Sequence, residues 1–92
     1  MIESFRHKGL RSLFEEDDRR KINADQVERL RLILSALDQA DDVQDMNQRT
    51  FRLHRLKGDR GGVWAVTVRA NWRVTFRFQE RGAYDVDLED YH

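Results

Sequence analysis

The spacing of apolar residues changes near residue 50, and this change constrains the fold more than any other feature of the sequence. Before it, apolar side chains recur every three or four residues, as on one face of a helix. After it, apolar and polar residues alternate, as in strands with one buried face. A chain of 92 residues is too short for two hydrophobic cores. We therefore predict one α+β domain over residues 1–92, with two N-terminal helices packed on one face of a mainly antiparallel, twisted sheet.

The first twenty residues predict a short strand, a helix and a loop. Residues 2–5 alternate apolar and polar side chains, which is typical of a strand. Leu10 and Leu13 share one face of a helix predicted over residues 7–15. The charged run 15–21 has no apolar side chain to bury, so we expect a solvated loop there.

A second helix is predicted from Asn23 to about residue 40. Asn23 is a favourable N-cap, and Gln26 occupies the capping-box position three residues later. The apolar residues that follow lie on one helical face, which predicts a core contact: Val27, Leu30, Ile33, Leu34 and Leu37.

The second half predicts four antiparallel strands, over residues 51–54, 64–69, 72–78 and 84–89. Opposite residues of an antiparallel pair share a face, which sets the register of the first hairpin. Trp64, Val66 and Val68 should oppose Phe76, Val74 and Trp72. The loop then covers residues 69–71, with Asn71 in the left-handed conformation.

The same rule applied to the second hairpin places Phe78 opposite Tyr84 and Arg73 opposite Glu89. Residues 80–82 form the turn, and we expect Gly82 to supply a positive φ. Both hairpins then present one buried face and one polar face. The side chains expected on the polar face are His54, Thr67, Arg73, Thr75, Arg77, Asp85, Asp87 and Glu89.

Basic residues are concentrated in one segment although the net charge is zero. Residues 52–77 carry seven Lys or Arg against one acid, whereas residues 1–51 sum to −2 and residues 78–92 to −4. Fourteen of the 17 basic residues are Arg, whose planar fork can bind phosphate and stack on a base. The segment predicts a local site for an anionic ligand such as nucleic acid. A charged sheet surface that pairs with the acidic tail is the alternative interpretation.

This segment and the C-terminus contain the groups that a metal-independent ribonuclease needs. Such cleavage requires a base for the 2′-hydroxyl, cations for the phosphorane and an acid for the leaving 5′-oxygen. The catalytic candidates are His54, Lys57, Arg73, Asp90, Tyr91 and His92. The candidates for RNA or ribosome binding are Arg52, Arg55, Arg60, Arg69 and Arg77.

Several of these residues also have a structural interpretation. His54 would serve as a surface histidine, and Lys57 as part of a glycine-rich turn. Arg73 would form a cross-strand ion pair with Glu89. The acids at alternate positions from Asp85 to Glu89 resemble a cation site, but the Arg residues opposite them argue against it, so we predict no metal and no cofactor.

Several ordered segments match one known family: IESFRHKGL (2–10), LHRLKGDR (53–60), RANWRVTF (69–76), YDV (84–86) and EDYH (89–92). On these segments nearly the whole chain resembles HigB toxins of the RelE superfamily. The resemblance implies a plasmid-maintenance or killer toxin that cuts mRNA in the A site of the 70S ribosome, without metal. It also implies a helix-turn-helix antitoxin, HigA, that silences the toxin. Operator DNA would be bound only through the toxin-antitoxin complex.

Carried over by position, the resemblance implies a role for each of seven residues: general acid or base for His54 and His92, support of that role for Asp90 and Tyr91, phosphate binding for Lys57 and Arg73, and RNA or ribosome binding for Arg60. One departure is visible, because the family usually has Pro where this chain has Arg55. That change removes no reactive group.

Two other functions remain open at this point. A gyrase-targeting toxin of the ParE type would share the fold but lack the catalytic set. A non-catalytic RNA- or ribosome-binding module would use the same residues only to contact phosphate. The absence of Cys and of an apolar leader or membrane-spanning stretch predicts a cytoplasmic protein that contacts no membrane.

Overall fold

The computed structural model describes residues 1–91. Helices α1 (Lys8–Glu16) and α2 (Val27–Gln39) precede four strands: β1 (His54–Arg55), β2 (Trp64–Arg69), β3 (Trp72–Gln79) and β4 (Gly82–Asp90). The strands form one antiparallel sheet in the order β1-β2-β3-β4. The predicted α+β architecture is confirmed.

The core lies between the apolar face of α2 and one face of the sheet. Leu30, Ile33 and Leu37 are fully buried, and they belong to one cluster with Val66 and Val74 of the sheet. Burial of an aliphatic side chain of this size contributes about 1.5–3 kcal/mol. The predicted apolar face of the second helix is thus the face that holds the two layers together.

Both helices begin differently from the prediction. α1 begins at Lys8, and the Nδ1 atom of His7 accepts a hydrogen bond from the backbone N–H of Leu10 at 3.1 Å. The Asn23 side chain makes no capping hydrogen bond, because a 3₁₀ turn, Ala24–Gln26, precedes α2. Gln26 is buried rather than placed in a capping box.

The N-terminal segment was predicted as a strand, but it forms only two isolated parallel bridges to β4. Ile2 pairs with Ala83 and Phe5 with Val86. Between them the backbone N–H of Glu3 donates to the carbonyl of Ala83 at 2.7 Å. The segment therefore covers the outer edge of β4, which would otherwise expose unpaired backbone groups.

The strand predicted over residues 51–54 is shorter and begins later. Arg52 has a positive φ of 51°, which interrupts the extended backbone. Phe51 is fully buried, and its carbonyl accepts a hydrogen bond from the N–H of Thr67 at 2.7 Å. Only His54 and Arg55 then pair with β2, opposite Ala65 and Trp64.

The first hairpin has the predicted register in its centre but not at its turn. Trp64 opposes Phe76, and Val66 opposes Val74. A register shift between Thr67 and Arg69 leaves Val68 unpaired, so that Arg69, not Val68, opposes Trp72. The turn is two residues long, and its left-handed residue is Ala70, at φ 48°, instead of Asn71.

In the second hairpin the predicted register is correct at the far end and wrong near the turn. Arg73 opposes Glu89 as predicted, but Phe78 opposes Ala83, and Tyr84 opposes Arg77. A bulge at Asp85, whose φ is 54°, accounts for the one-residue slip. The slip places Tyr84 beside Arg77 instead of on the apolar face.

The turn of the second hairpin also differs from the prediction. Positive φ values occur at Glu80 (54°) and Arg81 (83°), as in a type I′ turn, and Gly82 has none. Gly82 is needed for a different reason, because a Cβ there would lie 3.0 Å from Glu3 and from the Tyr84 ring.

Replacing Glu80 and Arg81 by Asn and Gly should stabilise the protein by about 1 kcal/mol, because these residues adopt left-handed φ values at lower cost. The backbone hydrogen bond from the N-terminal amine to the Arg81 carbonyl would be kept. Urea unfolding of both proteins measures the change. An unchanged or lower midpoint would contradict the assignment of this turn.

The face of the sheet opposite the helices, called the outer face, carries the polar side chains. Ala65, Thr75 and Asp87 lie side by side on β2, β3 and β4, and His54 lies next to Ala65. Ala65 and Thr75 are nevertheless buried, at 0% and 2% exposure. They are covered because the segment 56–63, between β1 and β2, folds over this face.

Candidate active site

The segment that covers the outer face is tied to β4 by a charged pair. Arg60 ends a 3₁₀ turn, Gly58–Arg60, and its two terminal nitrogens donate to the two carboxylate oxygens of Glu89, at 2.8 and 2.6 Å. The hydroxyl of Thr75, on β3, donates to the same carboxylate at 2.6 Å. Bidentate Arg-carboxylate pairs of this kind are the most directional charge-assisted hydrogen bonds.

These contacts change the titration of both charged groups. The hydrogen bonds from Arg60 hold the pKa of the Glu89 carboxyl below its usual value, Thr75 acts in the same direction, and burial opposes them. In return, the hydrogen bond to Glu89 raises the pKa of Arg60 above its already high value. Both groups are therefore charged at neutral pH.

The lowered pKa of Glu89 predicts a pH-dependent contribution to stability. The contribution is complete above the ordinary pKa of 4.5 and is lost as the pH falls through the lower value of the folded state. We expect the difference in unfolding free energy between the wild type and Glu89→Gln to be constant from pH 5 to 7 and to shrink towards pH 3. Urea unfolding of both proteins at each pH measures this difference. A difference that is independent of pH would contradict this assignment.

Asp90 and Tyr91 lie where β4 ends beside the turn of the first hairpin. Asp90 opposes Trp72 in the sheet, and the backbone N–H of Tyr91 donates to the carbonyl of Asn71 at 2.8 Å. The hydroxyl of Tyr91 lies 3.4 Å from the terminal nitrogen of Arg60. Arg60, which is paired with Glu89, thus also contacts the catalytic candidate Tyr91. His92 lies outside the described residues.

Arg73 occupies the predicted position but does not form the cross-strand ion pair. Its side chain donates to the carbonyl oxygens of Ala70 and Trp72, at 2.7 and 3.0 Å. The carboxylate of Glu89 is instead occupied by Arg60. Arg73 is therefore held by neutral carbonyls next to Asp90, and its positive charge is not balanced by Glu89.

His54 is exposed on β1, and one hydrogen bond orients its ring. The Nδ1 atom lies 2.9 Å from the carbonyl oxygen of Arg52. Since a carbonyl only accepts, Nδ1 carries the proton there, and the lone pair of a neutral ring lies on Nε2. A ring held in this way can accept a proton at Nε2. Lys57 is exposed two residues after β1, at the start of the segment that covers the outer face.

The structure brings only some of the catalytic candidates together. Arg73, Asp90 and Tyr91 lie around one end of β3 and β4, and Arg60 reaches them from the covering segment. His54 lies on β1 at the other edge of the sheet, three strand spacings or about 14 Å from β4. To act on one phosphodiester, side chains from both edges must therefore reach towards each other across the outer face.

Three of the other arginines predicted to bind RNA have partners of their own. Arg55 lies over the Trp64 ring, with its guanidinium carbon 5.4 Å from the ring centroid. Arg69 pairs with Asp25, and Arg77 lies 3.9 Å from Asp85. Arg52, in the left-handed conformation, is exposed. These exposed pairs contribute little to stability and leave the cations accessible to an anionic ligand.

The sequence did not single out the residues that organise this site. Thr75 was assigned only to the polar face, and Glu89 was assigned to that face, to a possible cation site and to an ion pair with Arg73. The predicted register carries a signal for Glu89, because it places that acid among basic residues. Arg6, Arg60, Thr75 and Asp85 line a cavity of about 230 Å³ beside the pair of Arg60 and Glu89. Within residues 1–91 no group of three or more His, Cys, Asp or Glu side chains is placed to hold a metal ion.

The comparisons with known proteins agree on one family. Residues 3–92 match the family described as RelE-like toxin of type II toxin-antitoxin system HigB. The Endoribonuclease HigB of Proteus vulgaris is 48% identical over 92 residues, which cover all of both chains.

Solved structures support the fold. A YafQ mutant from E. coli superposes with a TM-score of 0.62 at 12% identity, over 98% of this chain and 91% of that chain. YafQ from E. coli strain BL21(DE3) superposes with a TM-score of 0.57 at 11% identity, with the same coverage. Across the described residues, no helix is long and apolar enough to cross a membrane. The full-length match and the shared fold establish that the chain belongs to the HigB-like, RelE-like toxins of type II toxin-antitoxin systems.

Proposed function

We propose that this toxin is a ribosome-dependent endoribonuclease that arrests growth by cutting mRNA in the A site of the 70S ribosome during translation. The observation that carries the proposal is the outer face itself. It collects His54, Lys57, Arg73 and Tyr91 on or beside one surface, in a chain that is 48% identical to a protein named as an endoribonuclease.

The chemistry is an attack of the RNA 2′-hydroxyl on the adjacent phosphorus. A base removes the 2′ proton, the 2′-oxygen bonds to phosphorus, and the bond from phosphorus to the 5′-oxygen breaks. A protonated acid then donates a proton to that 5′-oxygen, which leaves a 2′,3′-cyclic phosphate. His54, through Nε2, and the C-terminal group of Asp90, Tyr91 and His92 are the two proton-transfer sites that we propose.

Cationic side chains supply the electrostatic part of this reaction. The phosphorane carries more negative charge than the starting diester, so cations placed beside it lower the barrier. Arg73 has its guanidinium bound only by carbonyl oxygens among its described hydrogen bonds, which leaves a net positive charge for a phosphate. Lys57, exposed on the covering segment, would be the second cation.

The charge distribution supports action on the ribosome instead of on free RNA. A nuclease that captures RNA from solution gains from a positive field over the whole protein, whereas this chain has a net charge of zero. A local basic patch is sufficient when the ribosome presents the substrate. Action on ribosomes would place the protein in the cytoplasm.

The partner of a type II toxin is its antitoxin. We propose a helix-turn-helix protein of the HigA kind, and contact with operator DNA only through the toxin-antitoxin complex. Copurification of the toxin with the product of the adjacent gene, followed by a gel-shift assay with and without the toxin, tests both points. Operator binding by the isolated toxin would contradict the second.

Primer extension on a defined mRNA tests the activity. The mRNA is translated in a purified system with and without the protein, and free mRNA with EDTA forms the second arm. We expect cuts in phase with codons only when ribosomes are present. Equal cutting of free RNA would remove the ribosome requirement, and intact mRNA at growth-arresting doses would overturn the nuclease function in favour of another target such as gyrase.

A further inference from the structure

We propose that Glu89 is a positioning residue for RNA cleavage. Together with Arg60 and Thr75 it forms what we call the outer-face clamp, which holds the segment that carries Lys57 against β4, the strand that ends at Asp90 and leads into Tyr91. The proposal rests on the nuclease function proposed above, and it gives a role to a residue outside the catalytic set.

The topology separates the two parts of the chain that the clamp joins. The segment 56–63 leaves β1 at one edge of the sheet, whereas Asp90 ends β4 at the other edge and Tyr91 follows it. The backbone hydrogen bonds of the segment are internal, from Leu56 to Val63 and from Gly61 to Gly58. Gly58 and Gly62 both have positive φ values and carry no side chain that could dock. The hydrogen bonds that join the segment to β4 come from the guanidinium of Arg60.

The geometry of the clamp fixes both partners. The Glu89 carboxylate receives two hydrogen bonds from Arg60 on one side and one from the buried Thr75 hydroxyl on the other. The side chain of Glu89 is 23% exposed and that of Arg60 is 40% exposed. Because three donors converge on one carboxylate, the hydrogen bonds constrain both the orientation of the Arg60 guanidinium and the distance between the segment 56–63 and the sheet.

The clamp changes the role expected for Arg60. A guanidinium whose two terminal nitrogens already face a carboxylate is neutralised locally, so it is a poor phosphate contact unless the pair breaks. Its remaining contact is the Tyr91 hydroxyl, 3.4 Å away. Arg60 therefore acts on catalysis through the placement of Lys57 and Tyr91 instead of through RNA.

Loss of the clamp should slow the chemical step without weakening ribosome binding. A misplacement of about 1 Å between reacting groups can cost about a hundredfold in rate. We expect Glu89→Gln, which keeps the shape but removes the charge, to lower the single-turnover rate of mRNA cleavage at saturating toxin by about tenfold or more. The toxin concentration at half-saturation should stay within about threefold, because the Glu89 carboxylate is already occupied by Arg60 and Thr75.

Asp18→Asn is the matched control. Asp18 forms the same kind of forked pair with Arg20, at 3.0 and 2.8 Å, but in the loop between α1 and α2. The two variants make the same chemical change at a carboxylate held by one guanidinium. We expect Asp18→Asn to cleave at the wild-type rate.

Thr75 provides a second test that does not depend on the folding of the Glu89 variant. Thr75→Ser keeps the hydroxyl that donates to Glu89, and Thr75→Val keeps the shape without it. The rates are compared at temperatures equally far below the thermal midpoint of each variant. The serine variant should then cleave near the wild-type rate and the valine variant more slowly. Equal rates for these two variants would overturn the proposal.

The outcomes separate the two proposals. If the wild type cleaves and Glu89→Gln cleaves equally fast, the clamp has no positioning role and the nuclease function stands. If Glu89→Gln loses ribosome binding instead of rate, Glu89 is not a positioning residue for the chemical step. If the wild type does not cleave at all, the proposed function itself fails.

Discussion

Replacement of His54 by Gln is expected to slow the cleavage of ribosome-bound mRNA by about 10²–10⁴-fold. The amide of Gln can still donate to the Arg52 carbonyl that His54 contacts at 2.9 Å, but it cannot act as a general acid or base. The single-turnover rate on programmed ribosomes measures the loss. Ribosome binding should be unchanged, since the removed function is proton transfer.

The pH profile distinguishes a proton-transfer role from a positional one. The pH profile of the wild-type rate should contain a limb that the variant lacks, because the variant has no ionisable side chain at position 54. Exposed Gln48 provides a control substitution close in sequence, Gln48→Ala, that should leave the rate unchanged. A His54→Gln protein that cleaves at the wild-type rate would reduce His54 to a surface residue and leave the C-terminal group as the only proton-transfer site.

Replacement of Phe51 by Ala is expected to lower the free energy of unfolding by about 3–5 kcal/mol. The ring is fully buried in the core, and the guanidinium of Arg29 covers it, with 5.1 Å between the guanidinium carbon and the ring centroid. Arg29 also donates to the carbonyls of Thr50 and Thr67, at 2.6 and 3.0 Å. Phe51 thus fixes the place where the chain enters the sheet before His54.

Stabilities of small domains are about 5–15 kcal/mol, so this one substitution removes a large part of the total. Phe14→Ala is the matched control, because Phe14 is 37% exposed and makes a ring contact only at 5.9 Å with Phe5. We expect about 1 kcal/mol or less from that change. Urea unfolding at pH 7 measures both, and equal losses would show that Phe51 does not have the structural role described here.

The strand register shows how far local patterns extend. Alternation along residues 64–78 and 84–89 correctly predicted the pairing of Trp64 with Phe76 and of Arg73 with Glu89. Alternation assumes a regular strand, so it could not anticipate the bulge at Asp85. That bulge moves Tyr84 from the expected apolar face to a position beside Arg77.

The candidate active site also combines residues that the sequence identified with a contact that it did not predict. Residue chemistry and the family resemblance were enough to select His54, Lys57, Arg73, Asp90 and Tyr91 as candidates. They were not enough to connect Arg60 with Glu89, which are 29 residues apart in the chain. That contact exists because the covering segment folds back across β2 and β3.

The sequence by itself determined the two layers, the order of helices and strands, the apolar face of α2 and the segment that concentrates positive charge. These features follow from side-chain periodicity and composition, which act over a few neighbouring residues. Only the tertiary structure decided that His54 lies at the opposite edge of the sheet from Asp90 and Tyr91, and that Arg60 is held by Glu89 and Thr75. The physical reason is that such contacts depend on how segments distant in sequence pack together. A single bulge or left-handed residue is enough to change which side chains meet.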